Sequence, residues 1–186
     1  MDRRIYLSSP CMCGEEQKYV QEAFDTNWVA PLGKNVNEFE NVIKEYVGTK
    51  GAVAMSAGTA AIHMALRALG VGQGDIVFCQ SMTFSASANP IIYQNGIPVF
   101  IDSEPDTWNM SPDALRRAFE KYPNPKAVVL VHLYGTPAKL DEIMEICAEH
   151  NVPVVEDAAE GLGGEYKGKK LGSFGDYGIL SFNGNK

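Results

Sequence analysis

The chain closes on ILSFNGNK, which sets Lys186 five residues after Ser181, across a turn containing Gly184. A lysine held in a dry pocket forms Schiff bases, because desolvation favours the neutral, nucleophilic amine. A lysine left in water is only a solvated cation, and taken alone Lys186 fits either description. Upstream, VVEDAAEG puts Asp157 where an apolar run ends. A carboxylate leaving a buried strand must replace its lost hydration with a cation or with hydrogen-bond donors. The partner of Asp157 is therefore either a ligand or a structural arginine. Glu160, three residues on, either faces the same cavity or is solvated. In SAGTAA, Gly58 permits close backbone approach and Thr59 adds a hydroxyl. The stretch opens a helical pattern whose first N–H groups and dipole suit a phosphate. The plainer reading is a Ser/Thr helix cap. Phe84, after the run DIVFCQ, can stack on a flat ligand or fill a core.

These residues need a scaffold that brings them together, and the patterning supplies one. NVNEFENVIKEYVG aligns Val36, Phe39, Val42, Ile43, Tyr46 and Val47 on one helical stripe and stops at Gly48. SAGTAAIHMALRALG, FSASANPIIYQNG and LDEIMEICAEHN also read as helices, as does SPDALRRAFEKY with Ser111 as cap and Pro112 in its first turn. DIVFCQ, IPVFID, KAVVLVHLYG, VPVVEDAAE and YGILSFN read as strands, and GGEYKGKKLG as a polar hairpin. The strands are mostly continuous apolar runs, the mark of a sheet covered on both faces. With helices between them, this predicts an α/β fold with a mostly parallel sheet sandwiched by helices. Ligands in such sheets bind at the carboxyl ends of the strands. SAGTAA, MTFSAS, VVEDAAEG and LSFNGNK all fall there. GGEYKGKK imitates a phosphate loop, but Lys170 stands where that loop requires Ser or Thr. GLGG is too short for a dinucleotide fingerprint.

Bulk properties narrow the function classes. Apolar residues make up 45% and charged residues 21%, ordinary for a globular chain, and the length suits one domain or part of a larger one. A formal net charge of −7 argues against a nucleic-acid partner. No apolar run approaches the roughly 20 residues of a membrane helix, and MDRRIYLSSP leads into no leader-like apolar stretch. The expectation is a cytoplasmic protein without membrane or nucleic-acid partners. Cys11 and Cys13 lack the two-residue spacing of a redox or zinc pair, Cys79 and Cys147 sit at core positions, and His63, His132 and His150 show no ligand spacing. No metal site is expected.

The order of these motifs resembles the DegT-type sugar aminotransferases, which depend on pyridoxal phosphate and have the aspartate-aminotransferase (type I) fold. NWVAPLG, SAGTAAIHMAL, DIVFCQSMTFSASANPI, PVFID, VHLYG, VEDAAEGLG and LGSFGDYGILSFNGNK carry the resemblance over essentially the whole chain. NWVAPLG, EDAAE and SFNGNK look most like the subgroup making UDP-N-acetylbacillosamine-type sugars. The resemblance implies that Lys186 is the Schiff-base lysine and proton shuttle, and that Asp157 pairs with the protonated pyridine nitrogen. It further implies that Phe84 covers one ring face, that Gly58, Thr59 and Ser181 hold the cofactor phosphate, and that Glu160 lies near the ring substituents. Asn27 and Trp28 fall in a segment that lies by the substrate in the family. The implied reaction transfers an amine from an amino acid, glutamate, to a UDP-linked 4-keto-6-deoxy sugar. Alternatives are another nucleotide sugar such as a perosamine precursor, an aminocyclitol precursor, or a catalytically silent relative that only binds. Family members run to about twice this length. Residues 1–186 are thus expected to be the N-terminal part of a large domain, lacking the small domain and the residues a homodimer shares.

Overall fold

The computed structural model describes Arg4, Tyr6 and residues 8–186. Met1, Asp2, Arg3, Ile5 and Leu7, part of the stretch read as carrying no leader peptide, lie outside them. The chain divides into two compact units, Met1–Ala54 with Phe182–Lys186, and Met55–Ser181.

The smaller unit holds α1 (Glu16–Asp25) and α2 (Lys34–Val47). Gly48 stops α2 in the left-handed region at φ 78°, and its N–H donates to the Lys44 carbonyl at 2.9 Å, as the glycine stop signal predicts. The expected stripe of α2 is only partly used: Val47 is buried, whereas Phe39, Val42 and Tyr46 are exposed. Periodicity gives a helix its apolar face but does not supply the layer that covers it. The sequence reading missed α1, which has no side-chain cap and buries no residue.

The larger unit begins with α3 (Gly58–Ala68), β1 (Ile76–Gln80), α4 (Asn89–Tyr93), β2 (Ile97–Ile101), α5 (Pro112–Lys121) and β3 (Ala127–Val131). It continues with α6 (Leu140–Glu149), β4 (Val154–Asp157), the hairpin strands β5 (Glu165–Tyr166) and β6 (Lys169–Lys170), and β7 (Tyr177–Ile179). Five strands form one parallel sheet in the order β2-β1-β3-β4-β7. The pleat sends alternate residues to opposite faces. Val77, Cys79, Val129, Val155 and Ile179 therefore pack with Ile62 and Leu66 of α3 and Ile91 of α4. Phe78, Val128, Leu130 and Val154 pack with Leu115 and Phe119 of α5 and Ile143 and Ile146 of α6. Each such side chain, fully buried, contributes about 1.5–3 kcal/mol relative to exposure. β3 is buried at every position, whereas β2 leaves Ile97 and Phe100 exposed at the sheet edge. Pro98, which has no N–H to donate, suits that edge.

Two segments bear on the site. FSASANPIIYQNG, expected as one helix, is split into a 3₁₀ turn at Ser85–Ser87 and the short α4. Proline lacks an N–H and disfavours the helical region for the residue before it, so it is accommodated only near a helix start. Pro90 accordingly stands in the first turn of α4. GGEYKGKKLG is the expected hairpin, with β5 and β6 antiparallel. Ser111 caps α5 as predicted, its Oγ accepting from the Ala114 N–H at 3.2 Å. Ser111→Ala is expected to lower stability by about 1 kcal/mol, seen as a lower urea midpoint with an unchanged slope.

Candidate active site

Because the five strands run parallel, their carboxyl ends share one edge, and the candidate residues of the larger unit lie there. Asp157 ends β4 on the face shared with Val155, towards α3, and is only 5% exposed. Its Oδ2 accepts from Ser87 Oγ at 2.6 Å and its Oδ1 from the Ala159 N–H at 3.2 Å. Cys79 reflects that setting: burial, and secondarily the charge of Asp157, push its thiol up to about 12. In register beside Asp157 lies Ile179 of β7, and two residues later comes Ser181.

The start of α3 faces the same place. A methyl group on Gly58 would stand 3.8 Å from Ser181 Cβ and 3.9 Å from Ile179 Cγ2. The glycine thus leaves open the space between the helix start and the end of β7. The N-cap position is Ala57, and no side chain caps the helix, so the Ser/Thr cap reading of SAGTAA does not hold. A helix start leaves its first amides without intrahelical acceptors, and here the hydroxyls of Thr59 and Ser181 belong to the two segments flanking that opening.

Phe84 precedes the Ser85–Ser87 turn and is 74% exposed, which excludes the core alternative. Glu160 is half-buried, and its Oε2 accepts from the Tyr134 N–H at 2.7 Å, so it is not simply solvated. That bond steadies a turn in which Tyr134 has φ 52° and Gly135 φ 78°. A Cβ on Gly135 would meet the Glu160 carbonyl oxygen at 2.8 Å, so only glycine fits. The larger unit therefore brings Gly58, Ser181, Asp157 and the Phe84–Ser87 loop together, with Glu160 holding the adjacent turn.

Asn27, Trp28 and Lys186 belong to the smaller unit. Asn27 has φ 53°, and Trp28 Nε1 donates to the Leu32 carbonyl at 2.6 Å. A Cβ on Gly33, which has φ 149°, would collide with the Trp28 indole. The Lys186 N–H donates to the Asn183 carbonyl at 2.9 Å, and Phe182, at the start of that turn, meets Phe39 of α2 edge-on with ring centroids 4.9 Å apart.

Sequence reasoning missed Ser87 and the residue before Asp157. Glu156 points to the opposite face and is fully buried. Its Oε1 accepts from His132 Nε2 at 2.9 Å and the Gly172 N–H at 2.5 Å, and its Oε2 from the Phe174 and Gly175 N–H groups at 2.7 and 2.9 Å. The Ala138 N–H donates to His132 Nδ1, so the histidine carries its proton on Nε2, the nitrogen facing Glu156. Burial alone would raise the Glu156 carboxyl, but the bonds from His132, Gly172 and Gly175 hold it below the usual carboxylate range. Gln80 and Asn109 form a second buried bridge. Asn109 Oδ1 accepts from Gln80 Nε2 and the Leu133 N–H, tying the end of β1 to the segments after β2 and β3. An ED pair ending an apolar strand was the available signal for Glu156. Nothing local marked Ser87.

Residues 10–186 match the model of the DegT/DnrJ/EryC1/StrS aminotransferase family. The chain belongs to this family. EpsN of Bacillus subtilis strain 168, named as a pyridoxal phosphate-dependent aminotransferase, is 60% identical over 190 residues, covering 100% of this chain and 49% of EpsN. The GDP-perosamine synthase of Caulobacter vibrioides is 44% identical, covering 98% of this chain and 49% of that relative. The pyridoxal phosphate form of Spr1654 from Streptococcus pneumoniae, described as a sugar aminotransferase, superposes with a TM-score of 0.91 at 29% identity, over 99% of this chain and 50% of that one. The chain spans about half the length of the curated relatives it matches. The DegT family uses pyridoxal phosphate, and the donor set fits that group: an open helix start beside Ser181 for a phosphate, and a buried acceptor carboxylate at Asp157 for a ring nitrogen.

Glu156→Ala removes the acceptor from His132 and three amides, and is expected to cost about 3–5 kcal/mol. Because the folded state holds Glu156 below its ordinary value, its contribution is complete above the usual glutamate range and is lost as pH falls through the lowered value. Urea midpoints measured from pH 7 downwards should therefore fall with acid, and less steeply in Glu156→Gln.

Proposed function

We propose that the protein carrying this chain is a pyridoxal phosphate-dependent aminotransferase that moves an amine from glutamate to a nucleotide-linked 4-keto-6-deoxy sugar, for amino-sugar and glycan biosynthesis. The observation that carries it is the buried Asp157, oriented by Ser87 beside the open start of α3 and Ser181, in a chain of the DegT family. Bound pyridoxal phosphate supplies the electron sink through which an amine passes between two substrates. Asp157 keeps the ring nitrogen protonated. The first amides of α3, with Gly58, Thr59 and Ser181, bind the phosphate. Phe84 covers one ring face, and Glu160 stands near the ring substituents while pinning the Tyr134 turn. Lys186 provides the amine that anchors the group and then moves the proton, and Asn27 and Trp28 contact the sugar nucleotide.

The motifs NWVAPLG, EDAAE and SFNGNK favour a UDP-linked sugar. The likeness to GDP-perosamine synthase supports a GDP-linked sugar as the second reading. The working form is a cytoplasmic homodimer with shared sites.

Full-length protein mixed with glutamate and a panel of UDP- and GDP-linked 4-keto-6-deoxy sugars should release 2-oxoglutarate with the UDP-linked member. Turnover with the GDP-linked member alone overturns the choice of nucleotide and leaves aminotransfer standing. No turnover with any member, and no visible cofactor absorbance, overturns the function and favours a silent binding relative. Lys186→Ala should lower turnover more than about a hundredfold, the loss expected when a positioned proton carrier is removed.

A further inference from the structure

We propose that Thr83 and Ser87 form a one-way hydroxyl relay that fixes the orientation of Asp157, and through it the strength with which the site holds a protonated aromatic ring nitrogen. This rests on the pyridoxal phosphate reading above. Ser87 is fully buried, and its Oγ lies 2.6 Å from Asp157 Oδ2, a residue 70 positions away. An ionised carboxylate can only accept, so Ser87 donates its single proton there. The contact between Ser87 Oγ and Thr83 Oγ1, at 2.7 Å, must then run the other way, with Thr83 donating. Donors arranged in series polarise one another, which strengthens the bond that reaches Asp157.

The backbone explains why Ser87 can do this. The Ser87 N–H donates to the Phe84 carbonyl at 3.0 Å, closing the 3₁₀ turn that precedes α4, whose first turn holds Pro90. An unbroken helix over this segment would carry the hydroxyl elsewhere. With Ser87 on Oδ2 and the Ala159 N–H on Oδ1, both oxygens of Asp157 are restrained and its rotamer is set. Hydroxyls carry no charge, so they orient the carboxylate without neutralising it. A lysine or arginine in their place would compete with the ring cation. Ser87 is thus a positioning residue, acting through Asp157.

The test compares dissociation constants of the full-length protein for pyridoxal phosphate and for its 1-deaza analogue, in which a C–H replaces the ring nitrogen. Wild type should bind pyridoxal phosphate more tightly. Ser87→Ala should weaken that binding about tenfold, the fold-change expected for losing a hydrogen bond to a charged group, and change analogue binding less than about twofold. Ser87→Thr, which keeps the hydroxyl, should restore binding, and Thr83→Ala should have a smaller effect than Ser87→Ala. Urea midpoints of the variants establish that each is folded. Equal weakening of both ligands would mean that Ser87 only packs, and no weakening of either would mean that it does nothing for Asp157. Each result overturns the relay. Equal wild-type affinity for the two ligands removes the ring-nitrogen role of Asp157 and the relay with it. Wild type binding neither ligand overturns the cofactor reading itself.

Discussion

A carboxylate without solvent contact anchors the sheet edge that carries the candidate site. Glu156 gathers an imidazole N–H and three backbone N–H groups from the loop 172–175. An unpaired charge at that depth would be strongly destabilising, whereas one with four donors ties together the end of β3, the end of β4 and the approach to β7. The loop is tightly folded around it. A Cβ at Gly175 would meet the Val154 carbonyl oxygen at 2.7 Å, and one at Gly178 would run into the Gly172 carbonyl. Ser181 inherits its position from this packing.

The pleat then divides the labour between neighbours. Glu156 faces α5 and α6 and holds structure, while Asp157, one residue on, faces α3 and meets Ser87. The carboxyl edge beyond them carries residues held at positive φ, Trp108 at 63° and Tyr134 at 52°. Such conformations persist where the surroundings fix them. Glu104 does so for the first, accepting from the Asp106 and Thr107 N–H groups. Burial opposes its ionisation, but Thr107 and Lys139 hold it down to about 2. Glu160 does so for the second.

The alternation of helices and strands, the continuous apolar run of β3, the Ser111 cap, the Gly48 stop and the polar hairpin were all legible in the chain. Each is decided within a few residues by backbone geometry, capping chemistry or the period of apolar side chains. Asp157, Gly58, Thr59 and Ser181 were legible as candidates too, because a parallel sheet places its loops at the carboxyl ends.

Tertiary structure alone decided the remainder. Ser87 reaches Asp157 across 70 positions, His132 reaches Glu156 across 24, and Gly58 faces Ser181 from far along the chain. No spacing rule encodes such pairs, since they follow from strand order and from which face each residue takes. The exposure of Phe84 and of the α2 stripe had the same origin. Local sequence fixes which side of an element is apolar, whereas what covers that side depends on elements folded from elsewhere in the chain.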